Sequence, residues 1–196
     1  MSDKQKFPLA LARAVAEKIV AALEPVCSRI VIAGSVRRKK AHVGDVEIVY
    51  IPKFTQVKNP LSLFGDEMMR VNAADLIIAE LIARGSLAKR LNVNDSETWG
   101  EKNKLAVAVK TGIPVDLFSS TEQGWWTYLV CRTGSKETNM RVCNAAIARG
   151  CNWRPYEGGF TQKFVSEPGT TRFWRMDSEE EVFRFVGLPF LPPEER

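Results

Sequence analysis

The chain has 196 residues, of which 45% are hydrophobic and 26% charged, with a formal net charge of +5. That apolar content supports one compact domain or two closely packed subdomains, and the modest basicity permits a polyanionic partner without requiring one. Four unclustered cysteines and the lone His42 give no zinc-site spacing, and Arg13, Glu17 and Lys18 break up the N-terminal apolar stretch too early for a membrane span.

In chain order, Pro8 to Leu23 reads as an amphipathic helix with Leu11, Val15, Ile19 and Leu23 on its buried stripe. "RIVIAG" is a short strand, "SVRRKKAHVG" a cationic connection, and "DVEIVYIP" a second strand ended by Pro52. Residues 53–71 read as an irregular insertion. Asn72 caps a helix that ends before Gly85. "LAKRLNV", "KLAVAVK" and "IPVDLFSS" are strands, the last two joined as a hairpin at Thr111-Gly112. After Ser120 come two helices divided by Gly134, short strands in "RPYEGGFTQKF" and "TRFWRM", and a helix "EEEVFRFVG" signalled by Asp177-Ser178 and Glu181. The pattern changes at Ser119, so the expected division is a sheet-based subdomain over 1–119 and a smaller one over 120–196.

Side chains two apart on a strand share a face, so Asp45 and Glu47 project together. Two like charges held that close are stabilised by a cation between them, and hard carboxylate oxygens select Mg²⁺ or Mn²⁺. Asp116, alone between Val115 and Leu117, is the candidate third carboxylate. Gly34 and Ser35 open a turn whose backbone N–H groups can hold phosphate oxygens, while Arg37 and Arg38 add forked donors. A phosphate cradle beside a divalent-metal site makes a triphosphate site.

"GSVRRKKAHVGDVE" resembles the nucleotidyltransferase signature of family X DNA polymerases, the DNA polymerase beta-like group. "RTGSKETNMRVCNAAIARG" resembles the same family's nucleotide-selection segment, and "EEEVFRFVGLPFLPPEER" its closing segment. The resemblance runs from about Arg29 onward. It implies an α+β fold, with a mixed-sheet palm followed by a smaller helix-and-strand subdomain. It implies that Ser35 and Arg38 contact the triphosphate, that Gly44 gives backbone access beside it, and that Asp45 and Glu47 bind two Mg²⁺ (or Mn²⁺) ions, one shared with Asp116. Gly134 and Ser135 would shape the sugar pocket and Asn139 would meet the base. The expected activity is transfer of nucleotides from NTP or dNTP to a DNA 3′-hydroxyl.

The departures are specific. Glu47 stands where the polymerases usually have Asp. Cys131-Arg132 replaces an aromatic pair beside the sugar, leaving room for a 2′-hydroxyl. Pro114 and Cys143 replace basic residues that serve the DNA strands. The 28 residues before the first strand are too few for the lyase and DNA-binding domains of larger relatives. Lys39, Lys40, Lys89, Arg90, Lys102 and Lys104 could form a DNA track; His42 reads as a solvated loop residue, and of Trp125 and Trp126 at most one is free to stack. A cytoplasmic monomer is expected, with no membrane partner. Two alternatives remain open: the same fold acting on RNA, a small molecule or a protein, and a nucleic-acid-binding module without catalysis.

Overall fold

The computed structural model of the chain describes residues 5–59, 62, 67–163 and 171–196. Its centre is a mixed five-stranded sheet in the order β2-β4-β9-β8-β7. These strands are β2 (Cys27–Ile32), β4 (Val46–Pro52), β7 (Leu87–Lys89), β8 (Asn103–Ala108) and β9 (Ile113–Ser119). Only β4 and β9 run parallel; the other neighbours are antiparallel. The expected hairpin at Gly112 forms, with Gly112 at φ +70° supplying the turn conformation that a side chain disfavours.

Helices α1 (Leu9–Leu23) and α3 (Ala73–Ala83) cover one face of this sheet. The β-branched alternation of β4 and β9 puts Val46, Ile48, Tyr50, Val115 and Leu117 into that core. The buried stripe of α1 is Ala12, Ala16, Ile19 and Leu23, whereas Leu11 is 42% exposed. Of the expected stripe Ile19 and Leu23 are buried and Val15 is partly buried against the core, while Leu11 faces out and Ala12 and Ala16 let the helix lie close to the sheet. Asn72 caps α3 as its position implies, accepting from Ala74 N–H at 2.9 Å.

Three local expectations are corrected. The connection after β2 holds a helical turn, α2 (Gly34–Arg37), and a short strand β3 (His42–Val43) paired with β1 (Phe7–Pro8). The segment read as irregular forms an antiparallel ribbon of β5 (Phe54–Lys58) and β6 (Met68–Asn72); both of its faces are largely exposed, so no core-facing pattern betrays it. Residues 60, 61 and 63–66 of that expectation lie outside the described residues. Strand β7 stops at Lys89 because the Asn92 side chain accepts from Asn94 N–H at 2.8 Å and turns the chain back.

The opposite sheet face is covered at one end by α4 (Trp125–Thr133): Trp125, Tyr128 and Leu129 pack on Ala33, Val49, Ile51 and Phe118. Helix α5 (Lys136–Ala148), the antiparallel strands β10 (Cys151–Arg154), β11 (Gly159–Lys163) and β12 (Thr171–Arg175), and α6 (Glu179–Phe185) share a further core around Phe160, Val182 and Phe183. The capping signature holds, since Ser178 Oγ accepts from Glu181 N–H at 3.0 Å and Glu181 accepts from Asp177 N–H at 2.6 Å. Among the described residues no helix is long and apolar enough to cross a membrane.

Candidate active site

Strand register assembles the acidic residues. Glu47 on β4 is the direct partner of Asp116 on β9, so the two carboxylates project side by side from one face. Asp45 precedes β4 by one residue and lies two before Glu47. Strand β8 continues the rung, because Leu105 pairs with Asp116. Beyond it the Arg90 N–H donates to the Leu105 carbonyl at 3.1 Å. Arg90 therefore stands level with both carboxylates, and its Nη2 donates to Asp116 Oδ1.

Burial, together with the charges of Asp45 and Asp116, pushes the Glu47 carboxyl up to about 8, against the lowering pull of Arg132 and Arg38. Burial likewise raises Asp116, opposed chiefly by Arg90. The Arg132 guanidinium lies 3.7 Å from the Phe118 ring centroid, with Tyr128 and Tyr156 at 5.6 and 5.2 Å. It is thus a cation fixed by aromatic faces beside the acids.

The raised Glu47 has a consequence for stability. A carboxyl whose value is about 8 when folded and 4.5 when unfolded keeps its proton longer in the fold. Over that window the folded state binds more protons, so stability falls as pH rises. With a chelator present, Glu47→Gln is expected to match the wild type at pH 5 and exceed its melting temperature by about 5–10 °C at pH 9. Parallel melting curves across that range would contradict the assignment.

Gly34 explains its own residue type. It sits at φ +60°, and a Cβ there would overlap the Glu47 carboxylate. Gly34→Ala is expected to destabilise by about 1–3 kcal/mol, measured by urea denaturation, since both the backbone and the acid would have to give way. Beside Gly34, Ser35 Oγ and Arg38 Nε are buried with no hydrogen-bond partner among the described residues. Arg38 Nη1 donates to the Thr133 carbonyl, and a Cβ on Gly134 would lie 3.0 Å from that nitrogen. Gly134, at φ +69°, is the residue that lets α4 end against Arg38.

A pocket of 590 Å³ opens here, lined among others by Arg38, Glu47, Cys131, Ser135, Asn139 and Cys143. Ser135 Oγ caps α5, accepting from Thr138 N–H at 3.4 Å. Asn139 Nδ2 donates to the Cys131 carbonyl at 2.8 Å, while its Oδ1 is buried without a partner among the described residues. The Cys131 thiol points to the Tyr156 hydroxyl at 3.8 Å. On the other flank, a 240 Å³ cavity is lined by Gly44, Asp45, Arg90, Asn92 and Pro114. A groove of 630 Å³ adjoins Arg132 at the far end of the sheet.

Two cationic expectations change. Arg37 does not face the pocket: it forms a two-pronged pair with Glu179 at 2.9 and 2.6 Å and donates to Thr133 Oγ1 at 2.7 Å. Nor do the six basic residues form one track. Lys104 is buried on the α1/α3 side, bonded to Asp75 and the Gly100 carbonyl at 2.9 Å each. Lys89 pairs with Glu97 and Lys39 with Glu194. His42 is exposed on β3, as expected of a solvated position. Trp125 is buried and Trp126 half-buried, with Arg29 over both rings.

Residues 128–196 match the DNA polymerase beta thumb family model. The structure as a whole is similar to Leishmania infantum polymerase beta, solved as a "Ternary P/T complex", with a TM-score of 0.71 at 19% identity over 98% of this chain and 77% of that one. This is a polymerase beta-like fold. No curated protein sequence matches the chain. In polymerase beta-like terms, the 590 Å³ pocket lies between the central sheet and the matched thumb, and Glu47, the register partner of Asp116, lines it on the sheet side.

The residues also bear on a metal. Glu47 and Asp116 are register partners with Asp45 two positions before Glu47, burial raises both paired carboxyls, and hard carboxylate oxygens of this kind suit a divalent cation. As they stand, no three acidic, His or Cys side chains among the described residues are close enough to enclose an ion. Arg90 is paired with one of the three carboxylates, Asp116. The sequence places Arg90 only among the basic residues of a possible DNA track; its position beside Asp116 follows from register, because Lys89, Ala106, Val115 and Val46 form one rung and Arg90 falls on the next.

Proposed function

We propose that the chain is a divalent-metal-dependent nucleotidyltransferase that adds nucleotides from NTP or dNTP to a DNA 3′-hydroxyl. The observation that carries this reading is the pairing of Asp116 with Glu47, two positions after Asp45, where Glu47 lines a pocket that also holds Arg38, Ser135 and Asn139. The similarity to a polymerase solved as a P/T complex supports DNA as the acceptor.

Asp45 and Glu47 would hold two Mg²⁺ or Mn²⁺ ions, with Asp116 on the one nearest the acceptor. When bound, the ions supply Lewis-acid stabilisation of the phosphoryl charge and ease deprotonation of the attacking hydroxyl. The rest is done by the chain. Ser35 Oγ, lacking a partner, donates to a phosphate oxygen, and Gly44 lets the phosphates approach the backbone. Arg38 neutralises charge on the departing pyrophosphate while its other prong stays on Thr133. Arg132 offsets the acids from the Phe118 side. The Gly134-Ser135 turn shapes the sugar site, and the free Asn139 Oδ1 accepts from the base.

Cys131 sits where it would meet the sugar, and its small side chain, turned toward Tyr156, leaves space for a 2′-hydroxyl. Catalytic efficiencies for rNTP and the matching dNTP are therefore expected to agree within about tenfold. A preference above 10³ for dNTP would refute this sugar assignment. The function is tested by incubating labelled DNA and RNA primers, with and without template, with each nucleotide and Mg²⁺ or Mn²⁺. Extension of DNA supports the reading, extension of RNA alone moves the acceptor assignment, and unchanged primers with tight DNA binding would indicate a non-catalytic module.

A further inference from the structure

Arg90 is held where two cations cannot both be satisfied. Its Nη2 occupies Asp116 Oδ1, its Nη1 donates to the Leu91 carbonyl at 3.3 Å, and its Nε is buried without a partner among the described residues. A divalent ion on Asp116 competes for the same carboxylate, and repels the guanidinium that holds it. The freed group does not leave the site, since its backbone is fixed to Leu105 and it lines the 240 Å³ cavity with Gly44, Asp45, Asn92 and Pro114.

That cavity is lined by Asp45 and Pro114 and shares no lining residue with the 590 Å³ pocket, which Glu47 lines. An acceptor strand presenting its 3′-hydroxyl to Asp116, in line with a nucleotide in that pocket, would bring its last phosphodiester toward this second cavity. Pro114, two residues before Asp116 on the same face, offers neither charge nor donor. Arg90 is the basic side chain lining this cavity, and a guanidinium fork suits a phosphodiester.

We propose that Arg90 is a displaceable counter-ion that, once metal occupies Asp116, clamps the terminal phosphodiester of the acceptor strand. This rests on Asp116 being a metal ligand, as in the function proposed above. Metal and acceptor binding are then positively coupled through one side chain, and the coupling is reciprocal.

The test measures binding only, on the full chain. Mn²⁺ affinity without DNA is read from the free-ion electron paramagnetic resonance signal. Affinity for a labelled duplex with a recessed 3′ end is read by anisotropy in Ca²⁺ and in chelator. Arg90→Gln is expected to bind Mn²⁺ about 3–10-fold more tightly than wild type and to lose about fivefold or more of the Ca²⁺-dependent gain in DNA affinity. Arg90→Lys, which keeps the charge but not the fork, guards against misfolding and should lose that gain with little change in Mn²⁺ affinity. Unchanged Mn²⁺ affinity in Arg90→Gln, or an unchanged gain in both variants, would overturn the proposal. Asp116→Asn separates the two layers: if it leaves Mn²⁺ affinity intact, the metal-ligand reading itself fails, whereas weakened Mn²⁺ binding there with no effect in Arg90→Gln removes only the clamp.

Discussion

Asp116→Asn is expected to lower single-turnover nucleotide transfer by about 10³-fold or more, roughly 4 kcal/mol of transition-state stabilisation. The amide keeps the size and one oxygen of the original, and the β4/β9 register does not depend on it. What disappears is the charge beside Glu47 and the partner of Arg90. The triphosphate contacts assigned to Ser35 and Arg38 lie on the other side of Glu47, so the nucleotide dissociation constant should change by less than about fivefold. The variant is then a turnover mutant and not a binding mutant. Rapid-quench measurement at saturating nucleotide separates these quantities. A loss in turnover below tenfold would remove Asp116 from the chemistry.

Glu179→Ala is expected to destabilise the protein by about 3–5 kcal/mol. Glu179 is buried at the start of α6 and receives Arg37 from α2 at 2.6 Å and Arg196 at 3.0 Å. The Arg196 side chain is itself wholly buried, and its Nε donates to the Leu191 carbonyl at 2.7 Å. Burial alone would raise the Glu179 carboxyl; the two arginines outweigh it and hold it below the ordinary carboxylate range. Removing the acid leaves two cations facing each other in a poorly hydrated space, and this mutual exposure sets the large magnitude. It also loosens Arg37 from Thr133, whose carbonyl holds Arg38. Nucleotide affinity should therefore fall along with stability. Urea denaturation with unchanged m-value checks the first effect, and equilibrium nucleotide titration the second. A shift under 1 kcal/mol would mean that the pair is solvated and weak.

How much was legible in the sequence varies residue by residue, for physical reasons. The β4 alternation that buries Val46 and Ile48 around Glu47 was legible because strand alternation is local, although Asp45 falls one residue before the strand, and the Thr111-Gly112 hairpin was legible because turn chemistry is local too. The Asn72 and Ser178 caps were legible for the same reason. Asp116 was legible as a candidate, but its partner was not: pairing with Glu47 is a contact across 69 positions that only the β4/β9 register supplies. Arg37 and Arg38 were indistinguishable as adjacent cations. The turn of α2 sends one to Glu179 and the other to Thr133, a choice made by partners more than 90 residues away. Lys104 and Arg90 illustrate the same limit. Each was basic and near a strand, yet alternation puts Lys104 in the core side with Asp75 and Arg90 on the acidic face. The β5/β6 ribbon left no trace because both its faces meet solvent.

The central claim is that these acids transfer a nucleotide with release of pyrophosphate. Its most direct measurement follows both products in one sample: a 5′-labelled DNA primer with a single nucleotide and Mg²⁺, quantified for primer lengthened by one residue and for pyrophosphate. The account predicts equal amounts of the two in the wild type and neither in Asp45→Asn. Pyrophosphate without lengthened primer, or no pyrophosphate from any nucleotide with either metal, would contradict it.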